Sequence, residues 1–392
     1  MKLGFKHTIL ASYTGYITQA IVNSLAPLLF IIFRDSLGIP LSKITLLITF
    51  NFFIQLFVDY VSAKFIDKIG YRRAIVAAHI LSAAGLISMA VLPFIFTNAF
   101  AGLLVSVILY AIGGGIIEVL ISPIVEACPT ENKASAMSLL HSFYCWGCVG
   151  VVLFSTAFLH FAGKESWRVL PIVWSAVPIL NAVFFMFVPI NTLTEESEVM
   201  STGQLFRNGA FWLFFILMVT AGASEQGMSQ WASAFAESGL GVSKTVGDLA
   251  GPCMFSVLMG TARVISARLS KRISLRPLML SSGALCIIAY LIAALSPNSV
   301  LSLVGCGLCG FSVGVMWPGA FSMASAHFKN GGTAMFALLA LAGDLGCMGG
   351  PTLVGEVASA LSDNLKAGLL FAIIFPVLLV IICFILPKKQ NN

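Results

Sequence analysis

Charge is what this 392-residue chain has least of: Asp, Glu, Lys and Arg make up 10% of it, against 58% hydrophobic residues. A soluble domain covers itself with roughly 25% charged residues, so water is excluded as the solvent of most of this surface. Polar runs long enough for a separate soluble domain are lacking too. The most polar stretch is the gap 191–208, with Glu195, Glu196 and Glu198. No His or Cys set stands at zinc spacing. Cys145-x-x-Cys148 and Cys306-x-x-Cys309 fall inside apolar runs, and most of the nine cysteines read as small hydrophobes, so neither a metal site nor a disulfide framework is expected. No serine stands with an ordered base and acid, which leaves no nucleophile constellation, and neither enzyme activity nor a cofactor is expected. No cleavable leader is expected either, because the first apolar run is too long and has no small-residue cleavage site.

What is present is one apolar run after another. At about 20 residues per spanning helix, this length admits roughly twelve spans. They are expected at 9–33, 42–63, 73–95, 98–125, 134–161 and 168–189, then at 209–236, 246–267, 276–296, 299–326, 333–358 and 366–387. The fold class is all-α integral membrane, with a six-helix bundle over 1–190, a hinge loop over 191–208 and a second six-helix bundle over 209–392.

A basic cluster occurs twice. Ala63 to Arg72 and Ala267 to Arg276 align at an offset of 204, with Ala63 on Ala267, Lys64 on Arg268, Ile69 on Ile273 and Arg72 on Arg276. Each copy lies in a short gap between apolar runs, the pattern of a secondary transporter built from two repeated halves. Loop charges set the orientation. With both termini in the cytoplasm, fifteen Lys and Arg residues fall on the cytoplasmic side and six on the other, leaving Arg263 inside a span. The net charge of +6 is this bias beside anionic lipid and calls for no nucleic-acid partner. The expected location is an inner or plasma membrane, with lipid, a small-molecule substrate and protons as partners and a monomer as the assembly.

The first cluster resembles the signature loop of the major facilitator superfamily, Gly-x-Leu-x-Asp-Arg-x-Gly-Arg-Arg. Asp67, Lys68, Gly70, Arg72 and Arg73 match in position, while Ala63 and Phe65 stand where the family has Gly and Leu. The resemblance implies two pseudo-symmetric bundles rocking about a midplane site lined mainly by spans one, four, seven and ten. It also implies a cytoplasmic gate that would include Asp67, Gly70, Arg72 and Arg73. A narrower resemblance, to the fucose permease group of sugar–proton symporters, lies in Gly113-Gly114-Gly115-Ile116-Ile117-Glu118 followed by Pro123. It implies a proton-coupling role for Glu118. The group also has an acid in its first span, where this chain has only Tyr13, Tyr16, Gln19 and Asn23.

An ionisable group inside the bilayer costs about 2.5–3.5 kcal/mol on insertion scales, so each one needs a reason. Glu118, Glu225 and Asp344 are the candidates for proton coupling; for Glu118 the competing reading is a carboxylate bonded to a neighbouring helix that never titrates. Tyr16, Gln19 and Asn23 on the first span, with His141 and Tyr144 on the fifth, are candidates for substrate contact. In the seventh span Gln226 and Gln230 share a helix face and Trp231 follows, a set of amides and an indole that suits a polyol or sugar; interhelical bonding is the alternative. Trp317, beside Pro318, would wall a cavity. Asp59 and Arg263 are related by the 204 offset and are assigned to a gate, either as a pair or each with its own partner. Asn51, Gln55 and Asp59 repeat every four residues, giving that span a polar face.

Together these features point to a secondary transporter of a small polar solute, sugar-like first, by alternating access with proton symport. A proton-antiporting exporter of amphipathic compounds is the nearest alternative, and a non-transporting receptor or scaffold the next.

Overall fold

The computed structural model of the chain describes residues 3–129, 133–191, 200, 202–269, 274–328 and 331–386; the side chains of 62–68, 126, 133–138, 267–269, 332–334, 336 and 337 fall outside that description. Twelve helices among the described residues are long and apolar enough to cross a membrane. They are α1 (Phe5–Leu37), α2 (Leu41–Val61), α3 (Tyr71–Ile95), α4 (Ala99–Val125), α5 (Leu139–Ala162), α6 (Lys164–Phe187), α7 (Gly209–Gly239), α8 (Lys244–Ser266), α9 (Leu275–Leu295), α10 (Ser299–His327), α11 (Leu338–Ala360) and α12 (Leu365–Ile385). The twelve expected spans and the twelve helices correspond one to one. Side chains such as Ile95, Leu180 and Phe187 stand more than two-thirds exposed on them, which suits lipid and not water.

Helix ends follow local chemistry more closely than hydropathy. Helix α1 runs through polar Arg34 and Asp35, which bond to each other at 3.0 Å, and stops only at Gly38, whose φ of +65° ends the ladder. Asparagine caps start α4, α7, α10 and α12: Asn98, Asn208, Asn298 and Asn364 each accept a first-turn N–H. The basic repeat is visible as geometry, because α3 begins at Tyr71 and α9 at Leu275, 204 residues on. Gly70, between α2 and α3, holds a φ of +87°, a conformation that L side chains rarely adopt.

The chain forms two compact units, Met1–Thr194 and Glu195–Asn392; residues 192–199 and 201 of the expected hinge lie outside the described residues. In the first unit α3 and α4 close on each other through glycines. A Cβ on Gly102 would meet the Leu92 carbonyl at 2.6 Å, and one on Gly85 would strike the backbone of Tyr110. In the second unit Gly222 and Gly346 do the same between α7 and α11, against backbone of Gly343 and Val219 respectively.

The second unit is also where helices break. After Ser229 α7 turns at Gln230–Trp231 and ends in a π-helical segment, Phe235–Gly239; α8 carries another, Leu249–Cys253. Lys244 binds both carboxylate oxygens of Asp248 at 2.7 Å and reaches Ser233 of α7 at 3.0 Å, and Ser233 in turn bonds Asp248. All three are buried. This ion pair holds the broken end of α7 to the start of α8.

Two glycines three residues apart in α11 separate close packing from mere glycine content. Nothing lies within 4 Å of a Cβ on Gly349, whereas one on Gly346 would overlap the Val219 carbonyl. Gly346→Ala is expected to cost about 1–3 kcal/mol by overpacking and to lower the unfolding temperature in detergent. Gly349→Ala should leave it level or raise it; equal losses would show that the close approach is not what these positions require.

Candidate functional site

The polar residues of the first unit converge on a single buried row. Gln19 of α1 donates through Nε2 to Gln55 Oε1 on α2 and to Glu118 Oε2 on α4, each at 2.9 Å. Gln55 Nε2 donates to Asn23 Oδ1 at 3.0 Å, and Asn51 Nδ2 donates to the same oxygen at 3.3 Å. All four amides are buried, and Glu118 is half-buried at the end of the row. The row exists because α4 can be approached from three sides. A Cβ on Gly113 would collide with Ser82 of α3. One on Gly114 would lie 2.8 Å from Gln19 Oε1, and one on Gly115 would lie 3.1 Å from Val58 of α2. Each of three consecutive glycines therefore admits a different helix.

Around this row Tyr16 bonds Ser122 at 3.2 Å, and its ring lies 5.3 Å from that of His141. His141 itself is exposed, and Tyr144 is half-buried beside the cluster that includes Tyr16. His79 of α3 is completely buried. Its Nδ1 lies 2.8 Å from the Ile75 carbonyl and its Nε2 2.8 Å from Asn181 Nδ2, which also donates to the Ala11 carbonyl at 3.0 Å. The carbonyl only accepts and the amide nitrogen only donates, so this ring is a neutral imidazole joining α3 to α6.

In the second unit Glu225 gathers its neighbours. Arg263 of α8 approaches its Oε2 at 3.6 Å, Gln226 Nε2 lies 3.4 Å from its Oε1, and Gln230 donates to Gln226 at 3.0 Å. Arg263 thus has a partner within its own unit. Trp231 is fully buried and donates Nε1–H to the Pro351 carbonyl at 2.9 Å, which ties α7 to α11. Trp317 lies with its ring against Gly343, the residue before buried Asp344, and is itself half-buried. Asp59 is half-buried on α2.

The residues assigned to the gate divide. The side chain of Asp67 lies outside the described residues, and Arg73 is exposed. Arg72 donates through Nη1 to the carbonyls of Phe185 and Met186, both at 2.8 Å. Its repeat equivalent Arg276 donates to the carbonyls of Phe384 at 2.6 Å and Leu386 at 3.0 Å. Each arginine thus covers the unfilled carbonyls at the end of its unit's last helix, where the helix dipole favours a cation. Sequence reasoning missed Arg276, the amides of Asn51 and Gln55 as members of the Glu118 network, and the Lys244–Asp248 pair. The i, i+4 spacing of that last pair was the available signal.

The Major Facilitator Superfamily profile matches residues 10–351 and, in a second stretch, 255–391. This chain belongs to that family of membrane transporters. Membrane protein MosC of Rhizobium meliloti is 24% identical over 310 residues, covering 78% of this chain and 72% of its own length. Among solved structures, a bacterial homolog of the human lysosomal transporter Spinster, in an inward-facing and occupied conformation, superposes with a TM-score of 0.78 at 14% identity, covering 97% of this chain and 96% of that one. The fucose:proton symporter FucP of E. coli superposes at 0.67 with 15% identity, covering 97% and 98%. At these identities the likeness is one of fold.

Two predictions follow from the contacts. Arg263→Met should cost about 3–5 kcal/mol by leaving Glu225 enclosed without its counterion, and Arg263→Met with Glu225→Gln should recover most of that in detergent unfolding; equal losses would separate the two side chains. Arg72→Ala and Arg276→Ala should each cost about 1 kcal/mol and speed hydrogen exchange at the ends of α6 and α12. Unchanged exchange there would mean that the carbonyls do not depend on the guanidinium.

Proposed function

We propose that this chain carries a small polar solute, sugar-like in its hydrogen-bonding demands, into the cell by alternating access, coupled to a proton that Glu118 binds and releases. The observation that carries this reading is the buried row of four amides ending on Glu118. Amides supply both donors and acceptors, which hydroxyl groups require, and a carboxylate at membrane depth needs a functional or bonding reason. Glu225 with Gln226 and Gln230 provides a second set of the same type in the other unit. Asp344 is the third coupling candidate, with Tyr16, Asn23, His141, Tyr144, Trp231 and Trp317 as further substrate contacts. Asp59, Asp67, Gly70, Arg72, Arg73 and Arg263 are assigned to the gate. Both termini are placed in the cytoplasm, and the membrane is an inner or plasma membrane.

The experiment is a thermal-shift screen of purified protein against sugars, organic acids, amino acids, nucleosides and cationic drugs at two pH values. A ligand at about 100 times its dissociation constant stabilises by about 2.7 kcal/mol. The hit is then followed as labelled solute in vesicles under an imposed pH gradient. Uptake of a sugar that accumulates with wild type but only equilibrates with Glu118→Gln is the expected result. Full accumulation by Glu118→Gln would remove the coupling role. Hits confined to amphipathic drugs, with export from cells, would replace import by export.

A further inference from the structure

The amide row of the first unit has a direction. Gln19 uses both N–H groups of its amide, one on Gln55 and one on Glu118, and Gln55 donates onward to Asn23. Gln19 therefore supplies the hydrogen that the carboxylate accepts, and from Gln19 the donors run away from Glu118, Gln19 to Gln55 and Gln55 to Asn23. An amide can be turned by half a revolution with little change of shape, and its neighbours decide which way it faces. Among the described residues two oxygens of the row accept no hydrogen bond, Gln19 Oε1 and Asn51 Oδ1. They stand near the row's two ends.

We propose that protonation of Glu118 reverses the direction of this row, so that Gln19, Gln55 and Asn23 act as positioning residues that report the state of α4 to Asn51 on α2. This rests on the reading of Glu118 as the proton-carrying group. A protonated Glu118 has an O–H to donate. Gln19 then turns its oxygen towards it. Gln55 turns to donate into that same oxygen, Asn23 turns to donate to Gln55, and the second N–H of Asn23 reaches Asn51 once that amide turns as well. Four hydrogen bonds are exchanged for four, and the two oxygens that lack donors in one direction are the two that gain them in the other. The proton enters from water and stays on Glu118; nothing but amide rotation travels along the row.

The other titratable and charged groups on the helices around Glu118 are Lys6, His7, Tyr13, Tyr16, Arg34 and Asp35 on α1, Lys43, Asp59 and Tyr60 on α2, Tyr71, Arg72, Arg73 and His79 on α3, Tyr110 on α4 itself, and His141, Tyr144, Cys145, Cys148 and His160 on α5. His79 is committed to Ile75 and Asn181, and Tyr16 to Ser122. Asp59 lies one turn beyond Gln55 and takes no part in the four bonds of the row.

The test is pH-difference infrared spectroscopy on the full chain in lipid, which needs no transported solute. The carboxylic-acid carbonyl band of Glu118 is identified by its loss in Glu118→Gln. In wild type with ¹³C-labelled Gln and Asn side chains, the amide carbonyl bands should shift with the same pH midpoint as that band. Glu118 titrating while the labelled amides stay still overturns the relay but leaves the coupling role; absence of a titrating Glu118 band sinks both. Transmission is tested by Asn51→Asp, whose side chain only accepts and so favours the reversed direction. It should displace the Glu118 midpoint by about one pH unit, a tenfold change in proton affinity. In a Gln55→Leu background that displacement should fall by more than half. A displacement that survives Gln55→Leu intact is a through-space charge effect and overturns the relay. Should Gln55→Leu fail to fold, the co-titration of the wild-type amide bands still decides.

Discussion

In hydrocarbon a backbone N–H has no partner but its own helix, and most of this structure follows from that constraint. It explains why the regular structure among the described residues is helical, and where the scarce polar side chains sit. They gather where the ladder runs out. Asn98, Asn208, Asn298 and Asn364 take N–H groups at helix starts. Arg72 and Arg276 take carbonyls at helix ends. The π-helical segments of α7 and α8 adjoin a buried ion pair, Lys244–Asp248, that bridges them. Away from helix ends, the described residues include two buried polar rows, one around Glu118 and one around Glu225, besides the His79–Asn181 pair.

The two rows are unlike, although the helices that carry them are related. Gln19 and Asn23 sit four apart on α1, as Gln226 and Gln230 do on α7. At the 204 offset, however, Asn51, Gln55 and Asp59 face Phe255, Met259 and Arg263. The first unit completes its row with two amides from α2; the second has an aromatic ring and a thioether in their places, and a guanidinium in place of the Asp59 carboxylate. Repeats of a common architecture have thus diverged at these buried positions, while the arginines that pin the last helices have stayed the same.

The sequence made the spans legible because apolar length and punctuation suffice to mark them. Its errors at the ends are instructive: α1 continues through Arg34 and Asp35 because only Gly38 supplies the left-handed turn that stops it. Glu118 stands out in the sequence through its flanking glycines and proline. Its partners do not, because a hydrogen bond between α1, α2 and α4 depends on which glycine faces which helix, and periodicity within one helix does not reveal that. The polar face of Asn51 and Gln55 was visible as a face, without its destination. Trp231 shows the opposite difficulty. An indole beside two glutamines reads as a ligand platform, and nothing along its own helix announces that its N–H serves Pro351 of α11. Arg72 was read through its loop, while its reach to the end of α6, more than a hundred residues away, depends on tertiary packing.

None of the nine cysteines is in a disulfide, and all nine are buried. The native protein therefore presents maleimides and spin-label reagents with almost nothing to react with. A single cysteine introduced at an exposed position becomes the dominant reactive thiol without first stripping the native ones, which spares the helix contacts that Cys286 and Cys309 make at 4.0 Å. The same tight packing that let small side chains stand in for larger ones leaves the molecule ready for distance spectroscopy in its unaltered form.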